Sequence, residues 1–254
     1  MQGISVLLPT LNEAENIGEC LCRITEALEG FSSWEVVLAD DSSSDATAEI
    51  AREASRDHRF DLRVIERTGE PSLSRAVVKA AKSARFDVVC VLDADLSHDP
   101  ASIPEVAGPV LAGRVGVSIG SRYAEGGTVA ADWPLARRLA SRAGTSVARR
   151  LSGVRDPLSG FFACRRGLLD GRDLALEPRG YKILLELLAR GRGCFGVCEV
   201  PIVFRDRTRG SSKLGARQLL QFAAQCFAIV RARLSVPRAV PAAHGTSSSA
   251  RSSR

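Results

Sequence analysis

FDVVCVLDADLSHDP, residues 86–100, carries five apolar residues in a row and then two acids either side of an alanine. An unbroken apolar run of that length reads as a strand buried on both faces, the kind that lies centrally in a parallel sheet covered by helices. Working outward, apolar runs at 4–8, 34–39, 62–66 and 115–120 alternate with helix-period segments at 14–29, 47–53, 74–83 and 103–111. In the first of these segments Ile17, Leu21, Ile24 and Leu28 recur every three or four positions, with Asn12 or Glu13 near the cap; Ser44 and Asp45 are cap candidates for the second. Strand and helix in alternation is the pattern of βαβ units, so the expected fold is α/β with a mostly parallel sheet flanked by helices. Further on, the pattern predicts a helix over 135–151, a strand at 161–164, a helix over 181–190, a strand over 195–204 and a last helix over 216–234. Residues 1–236 read as one domain, and 237–254, with almost no large apolar side chain, as a disordered tail.

The chain has 254 residues, 45% of them hydrophobic and 25% charged, which excludes disorder for most of it and leaves room for a large core. A net charge of +6 hides a division: residues 1–105 hold 10 Lys and Arg against 20 Asp and Glu, and residues 106–254 hold 25 against 9. An acidic half suits a cation and a basic half suits phosphate or an anionic membrane; scattered surface charge is the plain alternative. Seven cysteines without a CxxC pair, Cys194 and Cys198 flanking a strand among them, fit reduced thiols of a cytosolic compartment. The N-terminus, MQGISVLLPTLNE, shows no secretion signal.

Ligands of open α/β sheets sit beyond the carboxyl ends of the strands, and here those ends read PTLNE, DDSSSD, DADLSHDP and GSRY. In extended backbone the side chains of Asp93 and Asp95 leave on one side, where two carboxylates repel unless a cation bridges them. All-oxygen ligands favour Mg²⁺ or Mn²⁺, completed by water and a substrate diphosphate. A solvated acidic turn is the other reading of the triplet. Either Asp40 or Asp41 can accept hydrogen bonds from a nucleobase or ribose, although the stretch also serves helix capping. The run GRGCFG, residues 191–196, matches GxGxxG, but it leaves a predicted helix and enters a predicted strand, the reverse of the strand-to-helix turn a dinucleotide site needs; there is no GxxxxGK[ST] and no GxSxG, and three histidines (His58, His98, His244) leave little scope for a Ser-His-Asp or zinc site.

Taken together, LLPTLNEAENI, ADDSSSDAT, VLDADLSHDP, GSRY, the Arg137 and Ser141 pair after Trp133, DPLSGFF, GYKILLEL and EVPIVFRDRTRGSSKLG resemble the dolichol-phosphate (polyprenol-phosphate) mannose synthase family of inverting, GT-A glycosyltransferases, over residues 4–220. The resemblance implies a GT-A, Rossmann-like sheet with a C-terminal amphipathic helix, and transfer of mannose from GDP-mannose to a dolichyl or polyprenyl phosphate. By the same resemblance, Pro9, Leu11, Glu13, Ala39 and Asp41 bind the nucleotide, and Asp93, Ala94 and Asp95 hold metal and diphosphate. Arg122, Arg207 and Lys213 face donor or acceptor phosphates, Arg137 and Ser141 hold the acceptor phosphate with Arg122, and Asp95, Arg122 and Arg207 carry the catalysis. Two departures stand out: Glu70 and Pro71 lie where the family has a glycine-rich loop, and Ser97 lies where some members offer a Gln to the metal.

A lipid monophosphate with a second pKa near 6 is its own nucleophile at neutral pH, so no strong general base is required. Guanidinium forks match phosphate oxygens and offset the repulsion between two anionic substrates. Residues 218–230 are thirteen in a row without a charge, short of the roughly 20 that span a bilayer. This helix either lies in the membrane interface, with Phe222, Phe227 and Val230 toward lipid, or packs on the domain's own sheet. The expected partners are the two substrates and the cytoplasmic face of a membrane, reached either by peripheral attachment or through a transmembrane partner subunit; nucleic acid is not among them. Alternatives are a polyprenyl-phosphate glucosyltransferase using UDP-glucose and a nucleotide-sugar-binding module without turnover.

Overall fold

The structure, a computed structural model, describes residues 3–130, 135–178, 181–205, 222–229 and 231. The first half is a succession of βα units: β1 (Ile4–Thr10), α1 (Ala14–Ala27), β2 (Trp34–Asp40), α2 (Thr47–His58), β3 (Leu62–Glu66), α3 (Leu73–Ser83), β4 (Val88–Val91), α4 (Ile103–Leu111) and β5 (Val117–Ser121). After it come β6 (Thr128–Ala130), α5 (Leu135–Ser152), β7 (Phe162–Arg165), α6 (Gly167–Asp170), α7 (Ile183–Arg190), β8 (Val197–Pro201) and β9 (Val203–Arg205). Seven strands make one sheet in the order β3-β2-β1-β4-β7-β5-β8, in which β7 runs antiparallel to its neighbours β4 and β5 and the other pairings are parallel. The apolar run of β4 is the middle strand of the seven, as its composition predicts.

Period-two alternation sends the residues of β1 to opposite faces. Ile4, Val6 and Leu8 pack with Ile17, Leu21 and Ile24 of α1 and with Ile103 and Val106 of α4. Leu7 joins Val37 and Ala39 of β2 against Ala76, Val77 and Ala80 of α3 and Leu184 and Leu187 of α7. With both faces covered, the edge that remains for chemistry is the one where the strands end.

Several expectations need correction. The run 195–204 is not one strand: β8 stays in the sheet beside β5, and β9 leaves it to pair in parallel with β6. Ile202 N makes the last bond to β5, on Ser121 O (3.1 Å), while Ile202 O accepts from Thr128 N (3.0 Å), so the chain changes partner at Ile202. Cys198 lies inside β8 rather than flanking it. Tyr181 and Lys182 precede α7, because the Lys182 backbone is not helical (φ −115°, ψ 66°). The last helix is described over residues 222–229 and 231; there Phe222 and Cys226 pack with Ile229 on Ala148, Leu185 and Ala189, so Phe222 faces the helices α5 and α7, not lipid. Phe227 is 70% exposed, and Val230 and the tail 237–254 lie outside the described residues. Among the described residues, no helix is long and apolar enough to cross a membrane.

Candidate active site

The first two strand-to-helix loops lock into each other. Asn12, in the left-handed region at φ 54°, donates its N–H to the Ser43 hydroxyl (2.8 Å) and accepts from the Ser44 N–H through its side-chain oxygen (2.8 Å). Glu13 N donates to Thr47 Oγ1 (2.9 Å) and Ala14 N to Asp45 Oδ2 (3.1 Å), so the first amides of α1 are satisfied by the second loop rather than by a local cap. Pro9 and Ala39 stand opposite each other in the β1–β2 ladder, both buried, with Leu11 half-buried just beyond. Asp41 is also buried, and its carboxylate takes the Arg67 guanidinium and the Ser72 N–H. The carboxylate read as a nucleotide acceptor therefore ties down the 67–72 loop that contains Glu70 and Pro71.

One β-strand inward, Asp93, Ala94 and Asp95 follow β4. Asp95 is buried, with Oδ1 accepting from Ser97 N (3.0 Å); Asp93 keeps 31% of its side chain exposed. A Cβ on Gly160 would stand 2.4 Å from Asp93 Oδ2, so the carboxylate occupies space that only a glycine leaves open. His98 lies 2% exposed between the rings of Phe161 and Phe204, with Nε2 3.9 Å from Asp93 Oδ2. Burial, then the positive charge of Arg122, pushes its pKa down to about 4, so it is neutral at physiological pH. The turn is also stitched to β9, through Arg205 N donating to Ser97 O (3.0 Å) and a bridge between His98 and Phe204.

Arg122, just past β5, is gripped by Asp156. Nε and Nη2 each donate to the carboxylate at 2.8 Å and the backbone N–H at 2.9 Å, and Asp156 is fully buried. Burial alone would lower the Arg122 pKa; the Asp156 hydrogen bonds and charge outweigh it and raise it. Asp156 opens the segment Asp156-Pro157-Leu158-Ser159-Gly160, and each polar group of this segment reaches a different part of the site. Leu158 O accepts from Lys182 Nζ (3.0 Å), Ser159 Oγ donates to Gly120 O (2.7 Å), and Gly160 supports Asp93. Arg155 N and Asp156 N donate in turn to the Glu199 carboxylate of β8 (2.8 and 2.9 Å), which anchors the segment to the sheet edge.

The tertiary structure thus brings Asp93, Ala94, Asp95 and Arg122 to one edge of the sheet, with Pro9, Leu11, Glu13, Ala39 and Asp41 at the neighbouring strand ends. Arg137 and Ser141 lie on the described helix α5, but their side chains, and Arg207 and Lys213 altogether, lie outside the described residues. Asp156 and Lys182 were missed as individual residues. Both sit in runs the sequence reading quoted, DPLSGFF and GYKILLEL, and nothing local distinguishes a partner of a buried arginine from a surface acid.

Paired acids and a fixed arginine gathered at the strand ends, without a glycine-rich strand-to-helix turn among the described residues, fit the site of a glycosyltransferase. The comparisons with known proteins agree. A sequence model of glycosyl transferase family 2 matches residues 5–172, and the chain belongs to that family. It is 39% identical to a dolichol-phosphate mannosyltransferase of Pyrococcus furiosus over 93% of this chain, and spans 66% of that protein's length. It is 34% identical to the dolichol-phosphate mannosyltransferase of Saccharomyces cerevisiae, covering 87% of this chain and 84% of the yeast protein. In fold it is similar to glucosyl-3-phosphoglycerate synthase from Mycobacterium tuberculosis, crystallised with Mn²⁺, UDP and phosphoglyceric acid (TM-score 0.66, 24% identity, 92% of this chain and 79% of that one).

Proposed function

We propose that this glycosyltransferase moves mannose from GDP-mannose to a dolichyl or polyprenyl monophosphate, with inversion at the anomeric carbon. The observation that carries the reading is the order of strands. Asp41 follows β2, the paired acids follow β4 and Arg122 follows β5, so the candidate nucleotide and acceptor ends lie about 19 Å apart at roughly 4.8 Å per strand step, with the acids between them. The mannosyltransferase names of the relatives support the sugar and the acceptor.

Asp93 and Asp95 would hold Mg²⁺ or Mn²⁺. The donor set fits a hard cation: both groups are carboxylates and the cradle at Gly160 leaves Asp93 its place, while among the described residues no third His, Cys, Asp or Glu joins them, so water and substrate oxygens would complete the shell. When bound, the cation neutralises charge on the leaving diphosphate. The chain's own residues supply the remainder. Asp156 takes the Nε–Nη2 edge of Arg122 and leaves the Nη1 edge to meet a phosphate oxygen, in an orientation set before substrate arrives. His98, neutral and turned toward Asp93, is not needed as a base, because the acceptor phosphate is ionised already. Arg207, Lys213, Arg137 and Ser141 belong to the same proposal as further phosphate ligands. Membrane attachment is proposed at the apolar groove of about 320 Å³ lined by Val147, Leu151, Cys226 and Phe227 with Arg150 at its rim.

Incubation with radiolabelled GDP-mannose and a short polyprenyl phosphate tests the reading. Labelled lipid that disappears with EDTA is the expected result; no lipid product with any prenyl phosphate refutes it. Tighter binding of UDP than of GDP would favour the glucosyltransferase alternative.

A further inference from the structure

We propose that Lys182 is a second cation, beside Arg122, for the phosphate of the lipid acceptor; this rests on the mannosyl-transfer reading above. Its position comes from two contacts. Nζ donates to Leu158 O (3.0 Å), in the same five-residue segment that grips Arg122 through Asp156 and supports Asp93 at Gly160. The backbone carbonyl of Lys182 accepts from Gln225 Nε2 (3.0 Å), which ties the residue to the helical stretch 222–229 on the groove side of α5. Lys182 therefore stands at the β7–β5 end of the strand edge, away from the β2 end where the nucleotide is expected.

An ammonium has three donors, and the Leu158 carbonyl accounts for one of them. A tie to a carbonyl needs no charge; a neutral amide makes it at much lower desolvation cost. Here the charge is kept next to a second cation. Although the residue as a whole is part-exposed, the ammonium is packed deeply: burial first, then the like charge of Arg122, lower its pKa to about 8, against the opposing pull of Asp93 and Asp156. Two adjacent cations held against their mutual repulsion are arranged for an anion that brings two charges, and a lipid monophosphate is such an anion.

The test uses the full chain with Lys182→Gln, which retains a donor for Leu158 O, Lys182→Met and Lys182→Arg. Equilibrium binding of farnesyl phosphate is measured in the presence of GDP and Mn²⁺, with farnesol as the phosphate-free control and thermal melting as the check on folding. Loss of a charge-assisted hydrogen bond predicts at least tenfold weaker farnesyl phosphate binding by the Gln and Met variants, unchanged farnesol binding, GDP affinity within about twofold of wild type, and near wild-type binding by the Arg variant. Should the Met variant fail to fold, the Gln variant decides. Wild-type farnesyl phosphate affinity in Lys182→Gln overturns the proposal, and so does a parallel loss of GDP and farnesyl phosphate, which marks a structural role. Turnover is scored separately: a wild type that binds farnesyl phosphate but makes no mannosyl lipid overturns the mannosyl reading, and the binding ratio still judges Lys182. A wild type that does not bind it overturns both.

Discussion

Asp156→Asn removes the charge opposite Arg122 while keeping the side chain's shape. The carboxylate accepts three hydrogen bonds from Arg122, at 2.8, 2.8 and 2.9 Å, and the amide can replace only one oxygen at a time. If the remaining oxygen keeps Nε and the backbone N–H, the amide NH₂ meets Nη2 donor to donor. One charge-assisted bond is lost and a guanidinium only 10% exposed is left without its counter-charge. Breaking a buried pair costs roughly 3–5 kcal/mol, and the preserved shape places this variant near the lower bound, about 3 kcal/mol. With a urea dependence of roughly 3 kcal/mol per M for a chain of this size, the unfolding midpoint should fall by about 1 M, and displacement of Arg122 should lower turnover by about 100-fold. A companion variant carrying Arg122→Met and Asp156→Leu should regain most of the stability and remain inactive, because an apolar pair packs there but binds no phosphate. Urea denaturation and product formation read the two effects separately. A midpoint within about 0.2 M of wild type for Asp156→Asn, or turnover restored in the double variant, would refute the argument.

Three further outcomes follow from the same geometry. Gly160→Ala drives a methyl to 2.4 Å from Asp93 Oδ2, so the carboxylate must shift; the Mn²⁺ concentration for half-maximal activity should rise at least tenfold with little change in melting temperature, and an unchanged metal titration would show that Asp93 does not depend on this cradle. The His98 pKa of about 4 lies below the ordinary 6.5, so between those values the unfolded chain takes up a proton that the folded chain refuses; stability from this residue is whole above pH 6.5 and declines by on the order of 3 kcal/mol as pH falls toward 4. His98→Gln should flatten that slope in urea midpoints measured from pH 7 to 4, and identical slopes would contradict the buried neutral imidazole. Phe227→Asp, at a side chain 70% exposed beside the apolar groove, should reduce co-sedimentation with vesicles of anionic lipid several-fold without altering GDP affinity, and equal sedimentation would remove that groove as the membrane contact.

The strands and helices of residues 4–111 were legible because each follows from a local rule. Five apolar residues mark β4, and spacing by three or four marks α1 and α4, whose predicted start and end coincide with Ile103–Leu111. Legibility declined where pairing is short or distant. β6 has three residues and takes its meaning from β9, some seventy positions later, and no periodicity develops in so short a run. Reading the strand run on to residue 204 failed for the same reason: apolar residues continue past Pro201 while the chain exchanges β5 for the distant β6 as its partner.

Chemistry divides along the same line. From the sequence alone came the acids at the end of the central strand, the arginine after β5 and the placing of the GxGxxG run between a helix and a strand, where it cannot serve as a dinucleotide turn, since residue type and position along an element suffice to state them. Only the folded chain decided that Asp41 is held by Arg67, that Asp156 fixes Arg122, and that a lysine sixty positions beyond Arg122 enters the same cluster. Those are distances between charges brought together by packing, and a buried charge takes its partner, its pKa and its orientation from its neighbours in space, not from its neighbours in the chain.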